Sequence, residues 1–334
     1  MKILIYESAQ TYSIKFPISE SLRKFGHEVK NILWEEMIFN NKKLPKISSG
    51  MNKMLFLYYS KIINTSIVKE IDSSNYDLFL VFRGDHIYSE TIEYAKNKIS
   101  NVFLWSTDHV YNRNNSNINT INSVKLYHCV LSPRKHLFDE YKKQGINNLE
   151  YLEWYYRPGM ILDNQDNYEY NYNYDVSFIG SWSSRREEFI RSLDNFSTYI
   201  CGWGWNKNIK SHFQNTLFNK QVDMETMNLI FQRSRVNVNL LTIENFDQTN
   251  FRNFEIPAMK SFQISESTDM IKSLFEEDKE IVLFNSKEEL ASKTEFYLKN
   301  DSLREKIAKN GYERLLKSDY SIDNRVKQLI KLLS

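Results

Sequence analysis

The sequence predicts an α/β protein built as two tandem, Rossmann-like, doubly wound domains facing a cleft, and three observations carry that expectation. Short apolar runs alternate with amphipathic stretches from Lys2 onward, the signature of βα units feeding parallel sheets. The alternation breaks once, over residues 158–174 (PGMILDNQDNYEYNYNY), where periodicity vanishes and Asn and Tyr crowd together. At 334 residues the chain is about two domains long, taking roughly 150 residues for each.

The first domain, residues 1–157, opens with an expected strand Lys2–Tyr6, an apolar run that meets Glu7. Further strands are expected at His27–Leu33, Asp77–Phe82, Asn101–Trp105, Cys129–Ser132 and Leu149–Leu152, with helices near Phe16–Phe25, Ser89–Lys98 and Lys135–Lys143. Gly26 and Gly145 stand where helix C-caps favour a left-handed residue. Residues 158–174 read as a linker. The second domain, 175–320, starts with Asp175–Gly180 and a helix from about Arg185. Strands at Thr198–Gly202, Arg235–Leu241, Phe262–Ser265 and Ile281–Phe284 alternate with helices at Asp223–Gln232 and Phe254–Met259. Ser286-Lys287-Glu288-Glu289 is a capping box that opens a helix to about Leu298. The last stretch, 321–334, is a basic amphipathic helix with Arg325, Lys327 and Lys331 beside Val326, Leu329 and Ile330. Such a helix suits peripheral contact with an anionic membrane; in this architecture we expect it to pack back on the first domain.

Composition narrows the function. Lys and Arg number 44 against 42 Asp and Glu, which argues against a nucleic-acid binder resting on a dominant basic surface and makes any phosphate recognition local. Only two cysteines, Cys129 and Cys201, stand far apart, which argues against a disulfide framework and fits a reducing cytoplasm. The first apolar run is too short for a signal peptide, and no run approaches the roughly 20 residues of a membrane helix. The motifs GxxxxGK[ST], GxGxxG, HExxH and GxSxG are missing, as is Asp-x-Asp, the spacing that holds a divalent ion against a diphosphate.

The strongest positive signal lies in residues 240–266 (LLTIENFDQTNFRNFEIPAMKSFQISE), where an apolar strand runs into a polar loop, a short helix and another strand. Asn250-Phe251-Arg252-Asn253-Phe254-Glu255 sets a guanidinium and backbone N–H groups before a helix, an arrangement suited to a diphosphate. Asp247 and Glu255 bracket that turn, and Glu255 is placed to accept ribose hydroxyls; the bland alternative is a surface Arg252–Glu255 pair. Cys201-Gly202-Trp203-Gly204-Trp205 offers Trp203 and Trp205 for stacking or for core packing. In the first domain Asp108 and His109 follow a strand end, where a general base belongs, with Asp108 as base or as the group that orients His109. Arg83, Asp85, Glu7 and Tyr12 follow other strand ends and make up the acceptor side.

The run NxRxFE, followed by an Ala-containing helix and an apolar strand, resembles the donor-binding segment of CgeB-like glycosyltransferases of the GT-B superfamily. The spacing of Asp247 and Glu255 is similar to the paired acids of group 1 glycosyltransferases, where the first is normally Glu. Asp175–Gly180 with Arg185, and the tail through Arg304, Gly311-Tyr312, Tyr320 and Arg325, resemble the family's second domain over about residues 175–330. The resemblance implies a metal-independent transferase that uses a nucleoside-diphosphate sugar as co-substrate and no other cofactor, acting on a glycan, lipid-linked or protein acceptor. It implies that Arg252 and Asn250 hold the diphosphate, Glu255 the ribose, Gly180 and Ser181 a close backbone approach, and Arg185 or Arg186 the leaving group. A non-catalytic nucleotide-sugar-binding protein and a nucleotide-sugar epimerase of the same architecture stay open.

Overall fold

The structure, a computed structural model, describes residues 1–7, 15–34, 49–112, 117–157, 160, 171–219, 222–243 and 248–333. The chain divides into two units, one formed by Met1–Glu153 with the segment from Ile322 onward, the other by Trp154–Ser321.

The first unit holds a parallel sheet of β1 (Lys2–Glu7), β2 (Glu28–Leu33), β3 (Leu78–Phe82), β4 (Asn101–Trp105), β5 (Cys129–Ser132) and β6 (Leu149–Tyr151), in the order β2-β1-β3-β4-β5-β6. Strand order reverses between β1 and β3. Strand β3 is buried along its whole length, and β1 from Ile3 onward, because helices cover both faces; this is why these strands read as continuous apolar runs. Gly26 and Gly145 adopt φ of 80° and 88° at helix ends, the conformation a residue without Cβ enters without strain.

The second unit holds β7 (Tyr174–Ile179), β8 (Thr198–Cys201), β9 (Thr216–Asn219), β10 (Ser234–Asn239), β11 (Gln263–Glu266) and β12 (Val282–Phe284), in the order β12-β11-β10-β7-β8-β9. Every neighbouring pair is parallel, and order reverses between β7 and β10. Ser286 caps helix Lys287–Leu298 by accepting from the amide of Glu289 at 3.1 Å, while Glu289 in turn accepts from Asn285 N at 2.8 Å.

The structure differs from the sequence reading in several places. Helix Ser49–Ser73 has no counterpart in it, and neither has edge strand β9. The boundary falls after Glu153 instead of after residue 157, because the indole of Trp154 donates to Thr249 O at 3.0 Å and Tyr156 N donates to Tyr320 O at 3.0 Å. Of the expected linker, residues 158, 159 and 161–170 lie outside the described residues, and Tyr174 already belongs to β7. The terminal helix, Ile322–Lys331, buries Ile322, Val326 and Leu329 within the first unit, packs against helix Lys15–Lys24, and donates from Arg325 Nε to Glu153 O at 3.0 Å. Its apolar side is therefore covered by protein.

Candidate functional site

In doubly wound sheets, ligands bind beyond the carboxyl ends of the strands where strand order reverses. In the second unit that place lies beyond β7 and β10, and arginines gather there. Arg186 is buried; its Nη1 donates to Ser181 O at 3.0 Å and Ser181 Oγ at 3.1 Å, and its Nη2 to Leu240 O at 2.7 Å. It thus ties the loop after β7 to the loop after β10. Burial pushes its pKa down to about 10; Glu266 opposes this, and Arg252 and Arg185 add to it. Arg185 grips both carboxylate oxygens of Glu266, at the end of β11, and Glu266 Oε2 also accepts from Leu241 N at 2.9 Å.

Arg252 opens helix Arg252–Ala258. Its Nε donates to Ile179 O, at the end of β7, at 3.3 Å, and its Nη1 is paired with Glu255 Oε2 one helical turn on. The pairing weighed from the sequence is present, but it is not a surface pair. Glu255 has no exposed area at all, and Arg157 Nε lies 3.2 Å from its Oε1. The carboxylate therefore faces two guanidiniums and no open surface, which is at odds with the ribose contact expected of it. Among the described residues four guanidiniums (Arg157, Arg185, Arg186, Arg252) meet two carboxylates here (Glu255, Glu266), which leaves a local excess of positive charge suited to an anion.

The turn before the helix is less open than its sequence suggests. Asn250 N donates to Asn253 Oδ1 at 3.0 Å, and the amides of Asn253, Phe254 and Glu255 donate to Asn250 O and Phe251 O. The side chains of Asn250 and Asn239 exchange two hydrogen bonds, of 3.0 and 3.1 Å. Asn250 is thus a strut between the turn and β10, and its amide is already engaged. Phe251 is an anchor, with ring centroids of Trp154 and Tyr155 at 4.4 and 5.3 Å and the Arg157 guanidinium 5.2 Å from its own.

The glycine and tryptophan loop divides as its composition allowed. Trp205 is buried among Phe178, Phe213 and Phe218 and donates to Gly180 O at 3.0 Å, so it is core and not a stacking surface. Trp203 is 74 % exposed. Gly202 has φ of 154°, and a Cβ there would lie 2.0 Å from Gly180 O, so the loops after β7 and β8 touch backbone to backbone. Gly180 is thereby packed by protein on that side.

In the first unit, polar side chains converge beyond β3, β4 and β5. Arg83 Nε lies 3.2 Å from Asp85 and its Nη1 3.8 Å from Asp108, while Arg134 Nη2 is 3.9 Å from Asp108. Burial raises the Asp85 carboxyl above its ordinary value; Arg83 opposes this, Asp108 adds to it, and the Thr120 hydroxyl opposes it. Asp108 turns to these arginines and does not orient His109. The imidazole Nδ1 instead accepts from Tyr111 N at 3.3 Å, which leaves Nε2–H facing Glu140 at 3.4 Å. Glu7 ends β1 and is buried. Asp247 and Tyr12 lie outside the described residues. Among the described residues no group of three or more His, Cys, Asp or Glu side chains is placed to hold a metal ion.

Sequence reasoning passed over Arg157 and Arg134. Arg157 sits in Trp-Tyr-Tyr-Arg just before the loss of periodicity, and Arg134 follows β5; neither belongs to a spaced motif, and only Arg134 carries the signal of an Arg at a strand end.

Residues 185–331 match the model of a family described as glycosyl transferase-like, a stretch that contains Arg185, Arg186, Arg252, Glu255 and Glu266. No curated protein sequence matches the chain significantly. Among solved structures, sucrose-phosphate synthase from Thermosynechococcus elongatus is similar with a TM-score of 0.68 at 11 % identity, covering 99 % of this chain and 98 % of that one. The Anabaena protein HepE in complex with UDP-glucose gives 0.64 at 10 % identity, covering 100 % and 99 %. A UDP-N-acetylglucosamine 2-epimerase from Listeria monocytogenes gives 0.59 at 11 % identity, covering 98 % and 94 %. The two Rossmann-like sheets form the GT-B fold.

Proposed function

We propose that this chain is a glycosyltransferase that moves a sugar from a nucleoside-diphosphate donor to a hydroxyl acceptor, with the donor on the second unit. The observation that carries this reading is the convergence of Arg185, Arg186 and Arg252 beyond β7 and β10, where the sheet reverses. Breaking a glycosyl–diphosphate bond builds negative charge on the leaving phosphate, and fixed guanidiniums stabilise that charge without reorganising. In this reading the arginines take the place of a divalent ion, so the reaction needs no metal. The glycosyl transferase-like match covers these residues, and the UDP-glucose bound by HepE supports a nucleotide-sugar donor. Asp108, in the first unit, is the proposed base toward a glycan, lipid-linked or protein hydroxyl.

A thermal-shift panel of UDP, GDP and other nucleoside diphosphates tests the donor, because a ligand that binds only the folded state raises the unfolding midpoint. We expect one diphosphate to raise it and Arg252→Ala to abolish the shift. The fold is shared with an epimerase, so products decide the chemistry: an isomerised sugar nucleotide formed without acceptor would replace transfer, and tight binding without turnover would mark a binding protein. Transfer that persists in EDTA supports the metal-free mechanism, and its loss would refute it.

A further inference from the structure

Helix Ser49–Ser73 is held to the first unit on one side and open on the other. Ile63, Ile67 and Ile71 are buried, and Phe56 lies on the His86 ring with centroids 4.6 Å apart. Met54, Leu57, Tyr58, Lys61, Thr65 and Lys69 are all exposed and recur at helical spacing, so they form one outward face. Its earlier part is apolar, with Met54, Leu57 and Tyr58 exposed by 77, 53 and 61 %. Its charge has one sign. From Ser49 to Lys69 the helix contains Lys53, Lys61 and Lys69 and no acid, and its two later acids, Glu70 and Asp72, accept from the hydroxyls of Tyr76 and Tyr94. The face borders the acceptor side. Tyr88 donates its hydroxyl to Leu57 O at 3.3 Å and Asn64 donates to His86 O at 2.7 Å, which fixes this helix to the loop after β3 that carries Arg83 and Asp85. The helix opened by Ile118, itself 59 % exposed, is tied to the same loop, since the side chains of Asn117 and Asn119 both donate to Asp85 O. Cores of protein interfaces are depleted in lysine, which speaks against a protein on this face. An anionic bilayer takes both parts: apolar side chains and the tyrosine ring enter the acyl boundary while lysine ammonium groups reach the phosphates.

We propose that the outward face of helix Ser49–Ser73 seats the first unit on a membrane surface rich in anionic lipid. The seat also selects among acceptors, a clause that rests on the transferase reading above: with the loop of Arg83 and Asp85 held at the bilayer surface, the acceptor hydroxyl is that of a lipid-linked substrate.

The test is co-sedimentation of the full chain with vesicles of phosphatidylcholine alone and of phosphatidylcholine and phosphatidylglycerol in equal parts. We expect the chain to partition onto the anionic vesicles only and to be released by added salt. Leu57→Asp, and separately the double variant Lys61→Glu/Lys69→Glu, should each weaken partition by about tenfold or more with the unfolding midpoint unchanged. Lys327→Glu/Lys331→Glu, on the terminal helix whose apolar side is covered, should leave it intact. Cys129 and Cys201 are buried, so Met54→Cys takes a polarity-sensitive fluorophore selectively, and its emission should shift to the blue on anionic vesicles. No partition, equal partition onto neutral vesicles, or loss in the terminal-helix variant alone would each overturn the proposal. Self-association of the chain that Leu57→Asp abolishes, without vesicle binding, would make this face a contact between copies and overturn it likewise. If Leu57→Asp does not fold, Lys61→Glu/Lys69→Glu and the fluorophore decide by the same criteria. Partition is read without donor or acceptor, so its failure removes only this inference, whereas partition without any sugar transfer keeps the seat and removes the transferase reading.

Discussion

Asp85 is held by groups that pull in opposite directions, and its titration reports which one prevails. Burial raises its pKa above the ordinary 3.8 against the pull of Arg83, so the folded chain binds this proton more tightly than the unfolded chain. The sign follows directly: its contribution is most favourable below 3.8 and is lost as pH rises through the raised value. Asp85→Asn should therefore raise the thermal midpoint at neutral pH, with the gap to wild type closing as pH approaches 4, measured by scanning calorimetry. A lower midpoint at neutral pH would mean that the Arg83 pair outweighs desolvation. At this scale the sequence was legible where a charge follows a strand and less so where partners come from afar. Arg252 and Arg185 could be named from local order, but Arg157 meets Glu255 across ninety-odd positions that no spacing rule spans. Trp205 failed as a stacking surface for the same reason, since its neighbours Phe213 and Phe218 belong to a stretch with no recognised element.

Among elements, helix Ser49–Ser73 is the largest surprise and owes its concealment to chemistry. Ile63, Ile67 and Ile71 are buried at a spacing of four, while Met54, Leu57 and Tyr58 are exposed, so apolar side chains run round the helix and blur its period. Asn64, on that helix, donates to His86 O at 2.7 Å, and Ser60 Oγ lies 3.1 Å from His86 Nδ1, so this imidazole fastens the helix to the loop after β3. Burial pushes His86 from 6.5 down to about 4, so stability present above 6.5 should fall away as pH drops through 4, by at most about 3 kcal/mol. His86→Phe keeps a ring against Trp34 and Phe56 without a site for the proton; its acid slope in urea melts between those values should flatten. An unchanged slope would place the acid sensitivity elsewhere. Where β7 and β8 end, Gly202→Ala should cost about 1–3 kcal/mol from φ alone and push Gly180 aside. The midpoint should fall and diphosphate affinity with it; retention of both would show that the two loops yield freely. β9 escaped notice because it is short and at the edge, with half its residues exposed.

For the whole molecule, the two parallel sheets were readable from the alternation of runs, since strands covered on both faces have no other way to look. The point along the chain where one unit gives way to the next was not, because Trp154 to Arg157 carry no turn or breaker signal and only contacts assign them to the second unit. Ending the chain at Ser321 removes Ile322, Val326 and Leu329 from their places against the first unit, together with the Asp323 carboxylate that accepts from Ser21 at 2.6 Å. The shortened protein should melt several degrees lower, with the loss confined to hydrogen-exchange protection in residues 1–153. Asp323→Ala alone should cost far less, and equal costs would deny the helix its packing role. The first unit is also interrupted by the second, and this orders its maturation on the ribosome. All six strands of the earlier sheet are synthesised well before the helix that completes their unit, while the later unit is whole as soon as Ser321 emerges. The half made first is therefore the half finished last, and a nascent chain that has emerged only as far as Ser321 would expose an unsealed flank of its first unit to chaperones while its second unit was already complete.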